Sequence, residues 1–417
     1  MAAGDKPSVL LVSQYAPPSS LVAARRVAAI AKYLGRAGHS VTVLTSSSSG
    51  TGPIEGAGSV VRTRDALTSP LNWRRRHFAA LAGGTGESYK PPSRLASVVV
   101  PDLSLLTWLP FALPAALRLD RERRFDCVLT SSPPPSVHLV GRALRQRGIP
   151  WIAELRDGWT FEPPHSPWPL GAQRGVDGGL ERRVLSGADA VIGVTRPIAE
   201  DLRARLGLDA ELITNGYDPE DVPPEPAEPD PLLSPDRHSL VHTGRLSLSG
   251  VSLERLLDGV RLAREDSASQ RLELVLAGSL SEDERRLLSA PDLEGAVRFV
   301  GWLDRPRALA LQRAADTLLV VTEGARRPSV ATGKLFEYLA SGRPILVLGE
   351  ETEAAQIVWQ AGSGFAVSAS DPRVIADALR RVVLEPPQPV SATGVGEYAY
   401  PAIVERLEAV IDRVVSA

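Results

Sequence analysis

Short apolar runs alternate with stretches of helical spacing along most of the chain. Residues 8–13 (Ser-Val-Leu-Leu-Val-Ser) form a continuous apolar run, the kind buried on both faces of a parallel sheet. Residues 21–37 then put Val22, Val27, Ile30, Ala31 and Leu34 on one helical face, and Gly38 is placed to stop that helix. A second strand is predicted over 40–45. Strand, helix and strand in that order predict parallel pairing, because parallel neighbours need a long crossover. The region 46–101 reads as exposed loops, rich in Gly and Ser and carrying Arg74-Arg75-Arg76. Further strands are expected at 126–131, 151–155, 189–194 and 211–213, with helices over 136–147 and 196–206 and another helix before residue 189.

Residues 219–236 break this rhythm with seven prolines and six acidic residues. Proline at that density blocks helix and sheet interiors, so a semi-rigid linker is predicted. The alternation then restarts, with strands at 239–243, 271–277, 297–300, 317–321, 344–348 and 364–367. Helices fall between them, including 304–315, 331–341 and 371–384. A last helix over 400–415 carries Ile403, Leu407, Val410, Ile411 and Val414 on one face. The expected architecture is α/β: two doubly wound, Rossmann-like domains facing across a cleft, over 1–218 and 237–397. Residues 398–417 return to the first domain.

Composition narrows the classes. The 417 residues are 43% apolar and 23% charged, a soluble globular balance. Cys127 is the only cysteine, which excludes internal disulfides and cysteine metal clusters. No run reaches the roughly 20 apolar residues of a membrane span, and a secretory leader is not recognisable, so a cytoplasmic protein is expected. Residues 1–220 hold 26 Lys+Arg against 20 Asp+Glu, while the remainder holds 21 against 29. Anionic partners therefore suit the first half better. The apolar stretch 105–117, with Trp108 and Phe111, could join the three arginines in a peripheral contact at the inner membrane face, or could simply be core. No nucleic-acid partner is expected.

Candidate chemistry concentrates near 322–344. A strand ends, a small-residue loop follows, and a helix begins near Thr332-Gly333 with Lys334 in its first turn. Free amides at a helix start make an anion site. Glu337, one turn on, could accept hydrogen bonds from a pair of sugar or ribose hydroxyls, and a solvated helix face is the plain alternative. Gly244-Arg245, Gly278 and Gly301-Trp302-Leu303 each end a predicted strand, where a doubly wound sheet binds ligands. In the first domain Asp157 ends a strand and could orient or deprotonate a hydroxyl, or pair with Arg156. His138 is either a site residue or a packed core histidine. Arg25 and Arg26 open the first helix after Ser19-Ser20. No Asp-x-Asp triplet occurs, so no metal is expected; Arg, Lys and helix termini would offset phosphate charge instead.

Together these features resemble the family 4 retaining glycosyltransferases of the GT-B, two-Rossmann type. The matching residues are Gly38 to Thr45, Thr214-Asn215-Gly216-Tyr217-Asp218, Gly244-Arg245 and Gly333 to Ile345. The resemblance implies transfer from a nucleotide-sugar, with UDP the expected nucleotide, to a hydroxyl acceptor, without a cofactor. It assigns the donor to Arg245, Trp302, Leu303, Thr332, Gly333, Lys334 and Glu337, beside Gly244, Gly278 and Leu335; Arg245 and Lys334, with Asp157 from its strand-end position, are the candidates at the reaction. Ser20, Arg25, Ser132, His138 and Arg156 are the acceptor-side candidates. The chain departs from the family pattern at Ser329, where a glutamate is usual, and at Ser131-Ser132, where a histidine is usual. A UDP-sugar 2-epimerase of the same fold and a non-catalytic nucleotide-sugar-binding homologue are the alternatives.

Overall fold

The computed structural model describes residues 6–19, 22–66, 98–162, 168, 170–246, 253–322, 329–385, 390 and 392–417. They fall into two compact units. One takes the chain up to Asn215 together with Tyr400–Ala417, and the other takes Gly216–Ala399.

The first unit runs β1 (Ser8–Val12), α1 (Val22–Arg36), β2 (Ser40–Ser46), β3 (Ala57–Thr63), α2 (Ser104–Thr107), α3 (Leu109–Glu122), β4 (Cys127–Ser132), α4 (His138–Arg145), β5 (Trp151–Leu155), α5 (Gln173–Leu185), β6 (Ala190–Gly193), α6 (Arg196–Leu206) and β7 (Ala210–Leu212). Its seven strands pair in parallel in the order β3-β2-β1-β4-β5-β6-β7. Alternate residues of β1 serve opposite faces: Leu10 and Val12 join one core cluster, Val9 and Leu11 the other. This explains the continuous apolar run in the sequence.

The second unit runs β8 (His238–Thr243), α7 (Leu253–Arg264), β9 (Leu272–Ala277), α8 (Glu282–Leu288), β10 (Val297–Gly301), α9 (Arg305–Ala314), β11 (Thr317–Val321), α10 (Gly333–Ser341), β12 (Ile345–Leu348), α11 (Glu353–Gln360), β13 (Gly364–Val367), α12 (Pro372–Leu384) and α13 (Ala392–Gly396). Its parallel order is β10-β9-β8-β11-β12-β13, which reverses between β8 and β11. Such a switch point opens a crevice at the strands' carboxyl ends. The final helix, α14 (Tyr400–Ser416), belongs to the first unit. Its Ile403, Leu407, Ile411 and Val414 share a core cluster with Val27, Ile30 and Leu34 of α1. Each such side chain, fully buried, contributes about 1.5–3 kcal/mol.

One region differs from the sequence reading, and one open alternative is decided. Residues 57–63, expected as loop, form β3. It is a half-buried edge strand containing Gly58, Ser59 and Arg62, so it has no apolar run to reveal it. The stretch 105–117 supplies core: Trp108 is fully buried and donates its indole N–H to Thr63 at 2.9 Å, and Ala112 and Ala116 also point inward. Leu106 and Phe111 face outward. Residues 74–76 lie outside the described residues. No helix of the described residues is long and apolar enough to cross a membrane.

The proline-rich segment 219–236 lies on the second unit. Asp230 pairs with Arg307, Glu225 pairs with Arg313 at 2.9 Å and with Arg343, and Leu232 and Leu233 pack against a core cluster.

Candidate functional site

In the second unit, three glycines end three adjacent strands. Gly244 (φ +105°), Gly278 (φ +143°) and Gly301 (φ +81°) all hold backbone conformations that favour glycine. Their main chains are stitched together: the Gly244 N–H donates to Ala277 O at 2.7 Å, and the Gly278 N–H donates to Gly301 O at 2.8 Å. A Cβ on Gly278 would lie 2.3 Å from the Gly244 carbonyl oxygen, so no side chain fits there. The result is a backbone-lined edge that a ligand can approach closely.

The N-terminus of α10 belongs to the same edge. Its N-cap, Thr332, has the extended backbone of a cap, but its side chain makes no capping bond. The Thr332 hydroxyl is buried and has no hydrogen-bond partner among the described residues. A buried polar atom of this kind calls for a ligand or water. The helix therefore presents first-turn amides that its own N-cap does not satisfy.

Lys334 and Tyr338, one turn apart on α10, and Gln312 of α9 reach the end of β8. Tyr338 accepts from the Thr243 N–H at 2.7 Å, and Gln312 donates to the Thr243 hydroxyl at 2.9 Å. Lys334 reaches further. The α10 side of the sheet includes Val241, whereas Leu240 faces the opposite core, so the alternation puts His242 opposite α10. The Lys334 stem crosses the sheet edge over Gly244 and ends 3.2 Å from Nε2 of His242. A Cβ on Gly244 would be 3.0 Å from the Lys334 ammonium and 3.3 Å from its Cε. Burial pushes Lys334 down to about 8, with Glu337 opposing that shift.

Glu337 accepts from Nε of Arg305 at 3.2 Å, and Arg305 also pairs with Asp221 at 2.9 Å. Among the described residues Arg245, half-buried just beyond β8, has no carboxylate partner. The edge thus holds two cations, helix amides and a carboxylate held by arginine. That set suits an anion attached to a hydroxylated ring.

In the first unit the polar residues at the strand ends are mostly committed to one another. Arg26 is buried and donates to Glu154 at 2.7 Å and 3.0 Å, to Thr214 O at 2.5 Å and to Ile213 O at 3.1 Å. Glu154 also accepts from Ser131 at 2.6 Å. Burial alone would raise Glu154, but Arg26 and Ser131 outweigh it and hold the carboxyl below its ordinary range. Arg156 is spent on carbonyls, donating to Ser132 O at 2.8 Å and to Ala23 O.

The profile described as "Glycosyl transferase 4-like domain" matches residues 23–216, and "Glycosyl transferases group 1" matches residues 237–385. Together they take in most of both sheets. The chain belongs to the GT4-like glycosyltransferases of the GT-B fold.

No curated protein matches this glycosyltransferase in sequence. Solved structures share its fold. Sucrose-phosphate synthase from Thermosynechococcus elongatus is 18% identical with a TM-score of 0.64, over 99% of this chain and 100% of that one. Anabaena Alr3699/HepE in complex with UDP and glucose is 14% identical with a TM-score of 0.60, over 98% and 100%. The trehalose 6-phosphate synthase of Burkholderia multivorans is 14% identical with a TM-score of 0.64, over 99% and 97%.

Within the glycosyltransferase, the structure brings Gly244, Gly278, Thr332, Gly333 and Lys334 to one edge. Arg245 directly follows Gly244 there, and Leu335 is core below it. Trp302 follows Gly301 with 56% of its surface exposed, and Leu303 packs inward. Asp157 lies half-buried just after β5. Ser132 is buried and donates to Glu154 O at 3.3 Å. Arg25 is half-buried on α1, and Ser20 lies outside the described residues.

His138 is fully enclosed rather than presented to an acceptor. Its ring stacks on Trp159 and tilts against Trp151, with Nδ1 2.9 Å from the Thr130 hydroxyl. Burial pushes its pKa down to about 3, so it stays neutral.

Three contributors escaped the sequence reading: His242, Arg305 and Asp177. Asp177 accepts from the indoles of Trp159 at 2.8 Å and Trp168 at 2.9 Å, pinning the segment after Asp157 to α5. Each acts through a partner remote in sequence, so no local motif announces it.

Proposed function

We propose that this glycosyltransferase moves a sugar from a UDP-sugar to a hydroxyl acceptor with retention of anomeric configuration. The observation that carries the reading is the N-terminus of α10, left uncapped by Thr332, whose buried hydroxyl has no partner among the described residues, with Lys334 in its first turn. Phosphate would sit against those amides, with Lys334 and Arg245 offsetting the charge that grows on the leaving diphosphate. Glu337, held by Arg305, would accept from the ribose hydroxyls. In support of UDP, one fold neighbour is described in complex with UDP and glucose and another as UDP-forming.

In the proposed step the bond from the anomeric carbon to the phosphate oxygen breaks. A bond to the acceptor oxygen forms on the same face, and the acceptor proton passes to the departing phosphate. Asp157 orients the acceptor hydroxyl. Retention follows from the family 4 resemblance. A 2-epimerase would need a second acid near Asp157, and Glu154, the obvious one, is committed to Arg26. Membrane contact is not part of the proposal, because Trp108 and the inner side of α3 are used in the core.

Proton NMR of UDP-sugars incubated without acceptor tests this reading. Slow release of UDP with free sugar appearing first as the donor's own anomer supports it. Release as the opposite anomer contradicts retention, and a new UDP-sugar without UDP release contradicts transfer.

A further inference from the structure

His242 has no place in the donor assignment, yet it is the buried side chain that meets the Lys334 ammonium. Two contacts fix its state. Nδ1 lies 2.9 Å from the carbonyl oxygen of Leu319. A carbonyl oxygen only accepts, so Nδ1 carries the proton. Nε2 of the neutral ring is then a lone pair, and it faces an ammonium that only donates. Adding a proton to Nε2 would set two cations together in a buried site; burial first, and Lys334 second, hold the imidazole well below its usual range.

The lysine stem is long and unbranched, and its rotamers are costly to fix. Here it crosses the sheet edge where Gly244 leaves room and is caught on the far side by His242. The other groups near it are Glu337 on its own helix, Tyr338, whose hydroxyl is turned to Thr243, and Arg245 beyond the strand end. Among the described residues, His242 is the only hydrogen-bond partner of Nζ, and it uses one of the three ammonium protons.

We propose that His242 is a positioning residue for the donor phosphates: as a neutral acceptor it holds one N–H of Lys334 and aims the other two at the site beside the N-terminus of α10. The proposal rests on the donor reading above. It assigns β8 a part in phosphate binding through a side chain that never touches the ligand.

A double-mutant cycle on UDP affinity, measured by calorimetry, tests it. His242→Phe keeps a ring and removes the acceptor, whereas His242→Gln restores an acceptor oxygen. Expected is a loss of about tenfold for the Phe variant, substantial recovery with Gln, and less than twofold effect of His242→Phe in a Lys334→Ala background. Equal losses with and without Lys334, or no loss at all, overturn the proposal. Wild-type UDP affinity in Lys334→Ala alone overturns the donor reading first, which separates the two failures. Nitrogen-15 NMR of the wild-type histidines needs no His242 variant: the Nδ1–H tautomer for His242 is expected, and the Nε2–H tautomer overturns the proposal whether or not the variants fold.

Discussion

The Lys334 ammonium would lie 3.0 Å from a Cβ placed on Gly244, so the glycine and the lysine share one space at the end of β8. Gly244→Ala therefore acts twice. It strains a residue at φ +105° by about 1–3 kcal/mol, and it displaces Lys334 from His242. UDP affinity should fall by about tenfold or more, and the melting temperature should drop. Calorimetric titration beside a thermal melt reads both, and unchanged affinity would separate Lys334 from the phosphate site.

The alkaline limb of donor binding follows from Lys334. Only its ammonium form offers charge to phosphate, and burial pushes it down to about 8. Affinity for UDP should weaken as pH rises through that value in the free enzyme, and Lys334→Arg should lack this limb. Stability carries the opposite sign. Between about 8 and the ordinary lysine value of roughly 10.4, the unfolded chain binds the extra proton, so this group's contribution to stability rises with pH.

Much of the architecture was legible because it follows from periodicity. The buried strands β1, β11 and β12 are short apolar runs, and Gly38, Gly207 and Gly342 sit at positive φ where helices were expected to stop. The edge strand β3 was not legible, since one half-buried face leaves no apolar run. At the site, Gly244, Gly278 and Lys334 were readable from strand ends and a helix start. His242 was not: it reads as one more residue of a buried strand, and only the folded sheet places Lys334 across Gly244 to meet it. Arg26 was read as a helix-start cation, and its burial against Glu154 depends on a strand 128 residues away.

The Arg26–Glu154 pair should matter for stability more than for the donor. Arg26→Met leaves the buried Glu154 carboxylate without its cation and the carbonyls of Ile213 and Thr214 without the Arg26 donor. The expected cost is about 3–5 kcal/mol in urea unfolding, with UDP affinity unchanged in the folded fraction. Glu154 is held below its ordinary pKa, so its stabilisation is present at neutral pH and is lost as pH falls through that lowered value. Wild-type stability in Arg26→Met would refute the assignment.

Glu337 is expected to read the ribose. Glu337→Ala should weaken UDP by about 1–3 kcal/mol, as loss of hydrogen bonds to a charged acceptor does. It should change affinity for 2′,3′-dideoxyuridine diphosphate far less. Equal losses for both ligands would mean that Glu337 acts through Arg305 and not on hydroxyls.

The central claim is that the edge formed by β8 and the N-terminus of α10 binds a nucleoside diphosphate. Calorimetric titration with UDP of the wild type, Arg245→Ala and Lys334→Ala tests it most directly. The wild type should bind, and each variant should lose about 1.5–3 kcal/mol from one charge-assisted bond to phosphate. Wild-type affinity in both variants would contradict it.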